Sequence, residues 1–181
     1  ENFYYDQVNI GLSYFLGEFF NAFRELSNNP ENLATRTQVK ETADQLVKDF
    51  KRVRGQITAI QEDVDIQVKT QVEAINNMAN EIADLNEKIR YVEIQDNPAN
   101  DERDRRDLLL KRLGEIVDIQ YMESPEGILT VAAGKNGLIL VSGSEYGQFS
   151  TQSTPAQGKK REGNLDIMFK PTKHSTPMRA T

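Results

Sequence analysis

The feature that most restricts the fold of this chain is a long stretch that proline does not interrupt. Residues 31–95 contain no proline and a single glycine, Gly55. Apolar residues recur there at alternating steps of four and three, the heptad spacing of a helix with one apolar seam. The first part of this seam consists of Val39, Ala43, Leu46, Phe50, Val53, Ile57, Ile60 and Val64. The stretch therefore predicts one long helix.

The spacing of the seam changes after Val64. The next apolar residues, Val68 and Val72, lie at two successive steps of four, a stutter that locally unwinds a left-handed supercoil. The seam then continues through Ile75, Met78 or Ala79, Ile82, Leu85, Ile89 and Val92. One helix of ~60 residues is ~90 Å long, which is too long to wrap a compact core. We expect it to pack along its length against other helices, as a rod or coiled coil.

Shorter helices are predicted on both sides of the long one. Residues 8–27 place apolar and aromatic residues on one helical face. Proline clashes with a preceding helical turn, so this helix ends before Pro30, and Asn29 is predicted as the N-cap of the long helix with Pro30 at its first position. A helix at 101–117 follows a break at 96–100, with Asn100 as its predicted cap. Its short connection favours antiparallel packing on the long helix.

The character of the chain changes after residue 118. Strands are predicted at 119–122, 128–133 and 138–141, with Gly134-Lys135-Asn136-Gly137 as a hairpin connection, and a last strand at 165–169. Residues 150–164 are predicted to be a flexible loop, and residues 173–177 are typical of disorder or of a chain cut within a domain. The predicted fold class is mainly α with a small β region. An elongated helical rod domain at 1–118 is predicted to precede a β-rich domain at 119–181, and the sequence leaves open whether that domain is complete or truncated.

Composition removes several classes of function. The net charge is −6, and an acidic chain is a poor nucleic-acid binder because phosphate contact needs a basic face. The six basic residues of segment 150–181 are interpreted as a solvated loop. Cysteine is absent, which excludes disulfides and thiolate chemistry. No apolar run is long enough to span a membrane, and the N-terminus shows no pattern of a cleaved signal peptide.

No residue pattern predicts a catalytic, cofactor-binding or metal site. The one histidine, His174, lies in a Thr/Pro-rich tail without the positioned surroundings of a general base. The carboxylates Asp63 and Asp65 are two positions apart on a helix and point in different directions. The acidic residues at 96–104 lack EF-hand spacing. Arg103, Arg105 and Arg106 are interpreted as partners in weak surface ion pairs.

Several segments carry the spacing of one known family. They are Phe19-Phe20-x-x-Phe23-x-x-Leu26-Ser27-Asn28-Asn29-Pro30; Ala34-x-Arg36 with Val39, Ala43, Leu46 and Phe50; Ile75-Asn76-Asn77; Asn80 to Ile89; Asn100-Asp101-x-x-Asp104-x-Arg106-Asp107-x-Leu109-Leu110-x-x-Leu113; and Leu140-Val141-x-Gly143. Together they resemble the flagellar hook-associated proteins that form the hook-filament junction. The motif residues that the resemblance singles out as structural are Asn29, Pro30, Arg36, Asn100, Asp104, Arg106 and Asp107.

This resemblance implies a non-enzymatic adaptor of the bacterial flagellum. Its implied partners are the hook protein, the second junction protein and its own copies in a ring, with no nucleic acid, membrane or cofactor. The resemblance also implies an internal fragment without the family's terminal polymerisation helices, monomeric when isolated. The implied location is the extracellular flagellum, reached by export without a cleaved signal peptide.

Two other classes of function stay open at the level of sequence. A coiled-coil spacer or interaction module of another extracellular or secretion-tip assembly would oligomerise through the heptad seam, whereas the junction hypothesis predicts a seam covered by the two shorter helices. An enzyme or small-ligand binder would need a concave pocket with convergent polar groups in the β region, and the sequence shows no such constellation.

Overall fold

The described residues form three helices and seven short strands in succession along the chain. The computed structural model describes residues 3–153, 165–171 and 178–179. The helices are α1 (Phe3–Asn28), α2 (Leu33–Glu93) and α3 (Asn100–Ile116). The α2 helix is 61 residues long and confirms the single long helix that the proline-free stretch predicts. The mainly helical class with a small β region is likewise confirmed.

Both predicted helix caps are wrong. Helix α2 begins three residues after Pro30, and the Asn32 carboxamide oxygen, not Asn29, accepts a hydrogen bond from the Ala34 amide at 2.8 Å. At α3, Ala99 occupies the N-cap position and no side chain caps the helix, while Asn100 is its first residue and exposed. The errors arise because several Asn residues stand near each break, and propensity alone does not choose among them.

The strands form two antiparallel sheets. The first has the order β1 (Ile119–Glu123), β2 (Leu129–Ala133), β3 (Leu138–Ser142) and β4 (Glu145–Tyr146). The second has the order β5 (Gln148–Ser153), β6 (Leu165–Lys170) and β7 (Met178–Arg179). The predicted hairpin across residues 134–137 joins β2 and β3, where Gly134 and Gly137 have φ of 69° and 64°, a left-handed conformation that glycine adopts without strain.

The second sheet is where the sequence prediction was least complete. Strand β6 confirms the strand predicted at 165–169. Strand β5, however, includes residues 150–153, which were predicted as loop, and strand β4 was not predicted. Strand β5 is polar apart from Phe149, and β4 has only two residues, so both lack the apolar alternation that marks a half-buried strand. The rest of the predicted loop, 154–164, and His174 lie outside the described residues.

The chain forms two compact units, Glu1–Asp63 and Val64–Thr181. In the second unit, α2, α3 and both sheets share one apolar core, which includes Ile82, Leu113, Val131, Leu140 and Phe169. Gly147 follows β4 within this core, and a Cβ atom there would lie 2.7 Å from the Phe169 ring carbon Cε2 and 3.0 Å from the Lys170 carbonyl oxygen. Close packing therefore requires glycine at this position.

In the first unit, α1 approaches α2 at a glycine. A Cβ atom on Gly11 would lie 3.2 Å from Nη2 of Arg52 and 3.6 Å from Oδ2 of Asp49. Asp49 is buried, and its carboxylate accepts a 2.8 Å hydrogen bond from Nε of Arg52. A small residue on α1 thus leaves room for an ion pair on α2.

The heptad seam is covered over only part of its length. Residues Val72, Ile75, Ala79, Ile82, Leu85 and Ile89 are buried. Four earlier members remain about half exposed, namely Phe50, Ile57, Ile60 and Val64. The expectation that the two shorter helices cover the whole seam is therefore wrong. On α1 the aromatic face is also incompletely buried, because Phe20 and Phe23 stay exposed although Phe19 packs edge-on against Phe23.

Candidate functional site

A buried arginine connects three elements of the second unit. Arg106 projects from α3 and only 2% of its surface is exposed. Its Nη1 donates hydrogen bonds to Oδ1 of Asn86 on α2 and to the carbonyl oxygen of Gly127, both at 3.0 Å. Its Nη2 donates to Oε1 of Glu123 on β1 at 2.8 Å. The interpretation of Arg106 as a surface ion pair is therefore wrong, because this guanidinium joins α2, α3 and the first sheet in the interior.

Asn86 extends the same network into the sheet. Its Nδ2 donates to the carbonyl oxygen of Leu129 at 3.0 Å and to that of Gly143 at 2.8 Å. These two carbonyls belong to β2 and to the turn after β3. The side chain is buried, and its amide is satisfied on both sides because Oδ1 accepts from Arg106. One side chain of α2 thus fixes the position of two neighbouring chain segments.

Glu123 is shared between two arginines. Its Oε1 also accepts from Nη1 of Arg103 at 2.6 Å, and Arg103 in turn holds Glu93 through two parallel bonds of 2.8 and 3.0 Å. Burial raises the pKa of the Glu123 carboxyl, but the hydrogen bonds and charges of Arg106 and Arg103 outweigh burial and hold that pKa below its ordinary value of 4.5. The hydrogen bonds from Arg103 to Glu93 and Glu123 raise the pKa of Arg103 in turn.

A glycine allows the turn between β1 and β2 to approach this network. Gly127 has φ of 75°, and a Cβ atom there would lie 2.9 Å from Nη2 of Arg103 and 3.0 Å from Oε2 of Glu93. The turn must therefore carry glycine for both conformational and steric reasons. We name Asn86, Glu93, Arg103, Arg106 and Glu123 the polar cluster.

A second asparagine of α2 holds the second sheet. Nδ2 of Asn76 donates to the carbonyl oxygen of Phe149 at 2.8 Å, and the Phe149 amide donates to Oδ1 of Asn76 at 2.8 Å. The carboxamide takes the place of a neighbouring strand at the edge of β5. Asn76 and Asn86 each satisfy main-chain groups of one sheet, so two polar side chains fix both sheets on one helix.

An apolar groove of about 560 Å³ lies in the second unit. Its walls come from α2, the end of α3, the β2–β3 hairpin and the second sheet. The residues that line it are mainly apolar and include Val68, Val72, Val117, Leu138, Phe149 and Ile167. It offers shape and apolar surface, without the convergent polar groups that a small-molecule site normally has.

The seven predicted motif residues lie in two groups, one at the connection between α1 and α2 and the other in the first half of α3. The Asn29 carbonyl accepts from the Asn32 amide at 3.2 Å, and the Pro30 carbonyl accepts from Nε of Arg36 at 2.9 Å, so these three residues shape the α1–α2 connection. In α3, Asn100, Asp104 and Asp107 are exposed, and Arg106 is the one that enters the polar cluster.

Sequence reasoning did not assign roles to Asn76, Asn86, Glu93 or Glu123. Asn76, Asn86 and Glu93 lie on the predicted long helix, and Glu123 lies one residue beyond the strand predicted at 119–122. Their partners, however, are 10 to 73 residues away in sequence. A polar residue within an apolar seam is the signal that could have pointed to Asn86, which directly follows Leu85.

The described ranges were searched for metal sites and for helices that could span a membrane. No group of three or more metal-ligating side chains occurs among the residues that were searched there. The helices in the described part of the chain do not combine the length and apolar character that crossing a bilayer requires.

Comparison with known proteins points to one family. The model of the flagellar hook-associated protein FlgK helical domain matches residues 1–179. Flagellar hook-associated protein 1 of Bacillus subtilis is 30% identical over 126 residues, which cover 68% of this chain and 25% of that protein. The protein of the same name from Salmonella typhimurium is 31% identical over 166 residues, covering 86% of this chain and 30% of its own length.

A solved structure shows the same fold. The flagellar hook junction protein FlgK from Burkholderia pseudomallei superposes with a TM-score of 0.81 over 94% of this chain and 30% of that chain, at 22% sequence identity. The chain therefore spans less than a third of the length of these relatives.

Proposed function

Because this chain belongs to the family of the flagellar hook-associated protein helical domain, we propose that it is a structural part of the junction between hook and filament. The family is one of structural flagellar proteins and not of enzymes. The observation that carries the proposal is the match of the family model along nearly the whole chain. The named relatives from Bacillus and Salmonella support the same role.

The structure supports a mechanical role through its polar cluster. A subunit that transmits force needs its sheets fixed to its long helix by directional bonds as well as by apolar contact. Arg106, Asn86 and Asn76 supply such bonds between α2, α3 and both sheets. Charge-assisted hydrogen bonds are about twice as strong as neutral ones, so the cluster resists sliding of the sheet along the helix.

We further propose partners and a route to the flagellum. The partners are the hook protein, the second junction protein and other copies of this chain, arranged in a ring. The chain reaches the flagellum by export without a cleaved signal peptide. The seven motif residues act as structural determinants of this role: Asn29, Pro30 and Arg36 at the α1–α2 connection, Asn100, Asp104 and Asp107 on the surface of α3, and Arg106 inside.

The genetic test removes the chain from the bacterium that makes it. An in-frame deletion of the segment encoding residues 1–181 is expected to leave hooks without attached filaments, seen by negative-stain electron microscopy. A matched strain with the intact gene, this segment included, restored at another locus should regain filaments. Normal filaments on the deletion strain would show that the junction does not depend on this chain.

A further inference from the structure

Charged residues are distributed unevenly along α2 and the start of α3. Between residues 33 and 58 the chain carries six basic residues, Arg36, Lys40, Lys48, Lys51, Arg52 and Arg54, against three acidic ones. Between residues 73 and 107 it carries ten acidic residues against five basic ones. An uneven distribution of this kind can bring surfaces of opposite sign together on two copies of one chain.

One face of the first part of α2 combines charge with apolar surface. Lys40, Val47, Lys51 and Arg54 recur at steps of seven, four and three, which places them on one helical face. The exposed Asp44, four residues after Lys40, lies on the same face and is its one acidic member. All four are exposed, and half of the Val47 side chain is accessible. Within the described ranges the side chains of Lys40, Lys51 and Arg54 form no salt bridge. We name these four residues the basic face.

A face of opposite charge lies in the second unit. Asp84, Glu87 and Tyr91 follow one another at steps of three and four on α2, and Glu102 of α3 joins them around a surface depression of about 380 Å³. Tyr91 is 68% exposed. Lys88 also borders the depression. The three carboxylates make no salt bridge to any other described residue. We name Asp84, Glu87, Tyr91 and Glu102 the acidic face.

We propose that the basic face of one copy of this chain binds the acidic face of a second copy. The two faces match in spacing as well as in charge. Val47, Lys51 and Arg54 are separated by four and three residues, and Asp84, Glu87 and Tyr91 by three and four. Each face thus offers one apolar group beside three charges of one sign and one of the other, which is Asp44 on the basic face and Lys88 on the acidic face. An apolar group among charges is the composition of a small interface with an apolar centre and a polar rim.

Two different faces can pair reciprocally in a two-fold dimer or in sequence around a ring, and for the ring of the proposed function we assign the second, heterologous contact. One copy can use its basic face toward one neighbour and its acidic face toward another, and contacts of this type generate rings or helical arrays. The inference rests on the proposed function, because it assigns the surfaces through which copies meet in the junction. Exposed charges contribute little each, so the isolated chain is a monomer when dilute and associates at high concentration and low salt.

The test is sedimentation velocity over a concentration series. Two variants reverse one face each: Lys51→Glu with Arg54→Glu on the basic face, and Asp84→Lys with Glu87→Lys on the acidic face. A control reverses exposed charges elsewhere on α3, Lys111→Glu with Arg112→Glu. Circular dichroism confirms that all variants retain their helix content.

The unaltered chain and the control are expected to associate at about 0.01 M ionic strength, where the screening length is about 30 Å, and to dissociate at about 1 M, where it is about 3 Å. Each face variant alone should associate about tenfold more weakly or less, because two like-charged faces meet. An equimolar mixture of the two face variants should recover association, since the acidic surface made in one matches the basic surface made in the other.

Three results would overturn the inference: an unaltered chain that stays monomeric at every concentration in low salt, face variants that associate as the unaltered chain does, or a mixture that does not recover. Filament attachment in the deletion strain is a separate readout. If the deletion strain has bare hooks and any of these three results is obtained, the junction role stands and only this contact is wrong. If the mixture of face variants recovers association but the deletion strain has normal filaments, the contact stands and only the junction role is wrong.

Discussion

At the scale of single residues, polar side chains hold the helices and sheets of the second unit together. Arg106 is buried and bonds to Asn86, Gly127 and Glu123. A charged group in a low-dielectric interior is costly unless it is paired, and here three acceptors surround one guanidinium. Among the described residues its Nε finds no hydrogen-bond partner. The residue therefore stabilises the fold only as long as its partners are in place.

Replacing Arg106 by methionine should destabilise the second unit strongly. Arg106→Met keeps much of the side-chain volume but leaves the Asn86 amide oxygen and the Gly127 carbonyl without their donor. Removing one partner of a buried ionic group costs about 3 kcal/mol, measured as a loss of unfolding free energy in urea. The matched control is Arg105→Met, one residue earlier, whose salt bridge with Glu81 is exposed and contributes about 1 kcal/mol or less. Equal losses for both variants would contradict the assigned role.

Glu123 gives the stability of the fold a dependence on pH. Its pKa in the folded chain lies below its ordinary value of 4.5. Its contribution is therefore fully present above pH 4.5 and is lost as the pH falls through the folded pKa. We expect the unfolding free energy of Glu123→Gln to approach that of the unaltered chain between about pH 5 and about pH 3. A difference that stays constant across this range would show that ionisation of Glu123 has no part in it.

Single residues were the hardest features to predict. Arg106 was recognised as a motif residue, yet its spacing among Asp104, Arg105 and Asp107 indicated a solvated face. Its burial depends on Asn86 and Glu123, which are 20 and 17 residues away. Local periodicity contains no information about contacts of that kind, so the polar cluster could not be derived from the sequence.

At the scale of elements, the long helix organises its neighbours. Heptad spacing and the absence of proline predicted α2 to within three residues at each end. Strand β5 was not predicted because most of its residues are polar. The edge of β5 that faces away from β6 is closed by the side chain of Asn76 instead of by another strand. Strand prediction from alternation requires an apolar face, and Phe149 is the one apolar residue of β5, although all six of its residues pair with β6.

Replacing Asn76 by alanine should loosen the second sheet specifically. Asn76→Ala removes both hydrogen bonds to the Phe149 main chain, and leaving these partly buried groups unpaired costs about 1–3 kcal/mol. The amide of Phe149 should then exchange with solvent faster, as hydrogen exchange with mass spectrometry can show. The control is Asn77→Ala, an exposed neighbour on the same helix, which should leave that amide unchanged. Faster exchange in both variants would point to helix propensity instead.

At the scale of the whole chain, the apolar core that α2, α3 and both sheets share bears on how the chain divides into domains. The predicted division into a rod domain at 1–118 and a β-rich domain at 119–181 stays a prediction. Residues of α2, α3 and both sheets contribute to one apolar core, which favours a joint opening of α3 with the first sheet. We expect native-state hydrogen exchange to give Leu113 and Val131 the same opening free energy. A clearly lower value for Val131 would support the predicted division at residue 118.

We propose that this chain lies where hook and filament meet. Immunogold electron microscopy on the source bacterium tests this location directly, with antibody raised against this chain and deletion cells as the control. We expect gold at one position on each flagellum, between hook and filament. Gold along the cell envelope, or flagella that carry none, would contradict it and favour a coiled-coil spacer of another assembly.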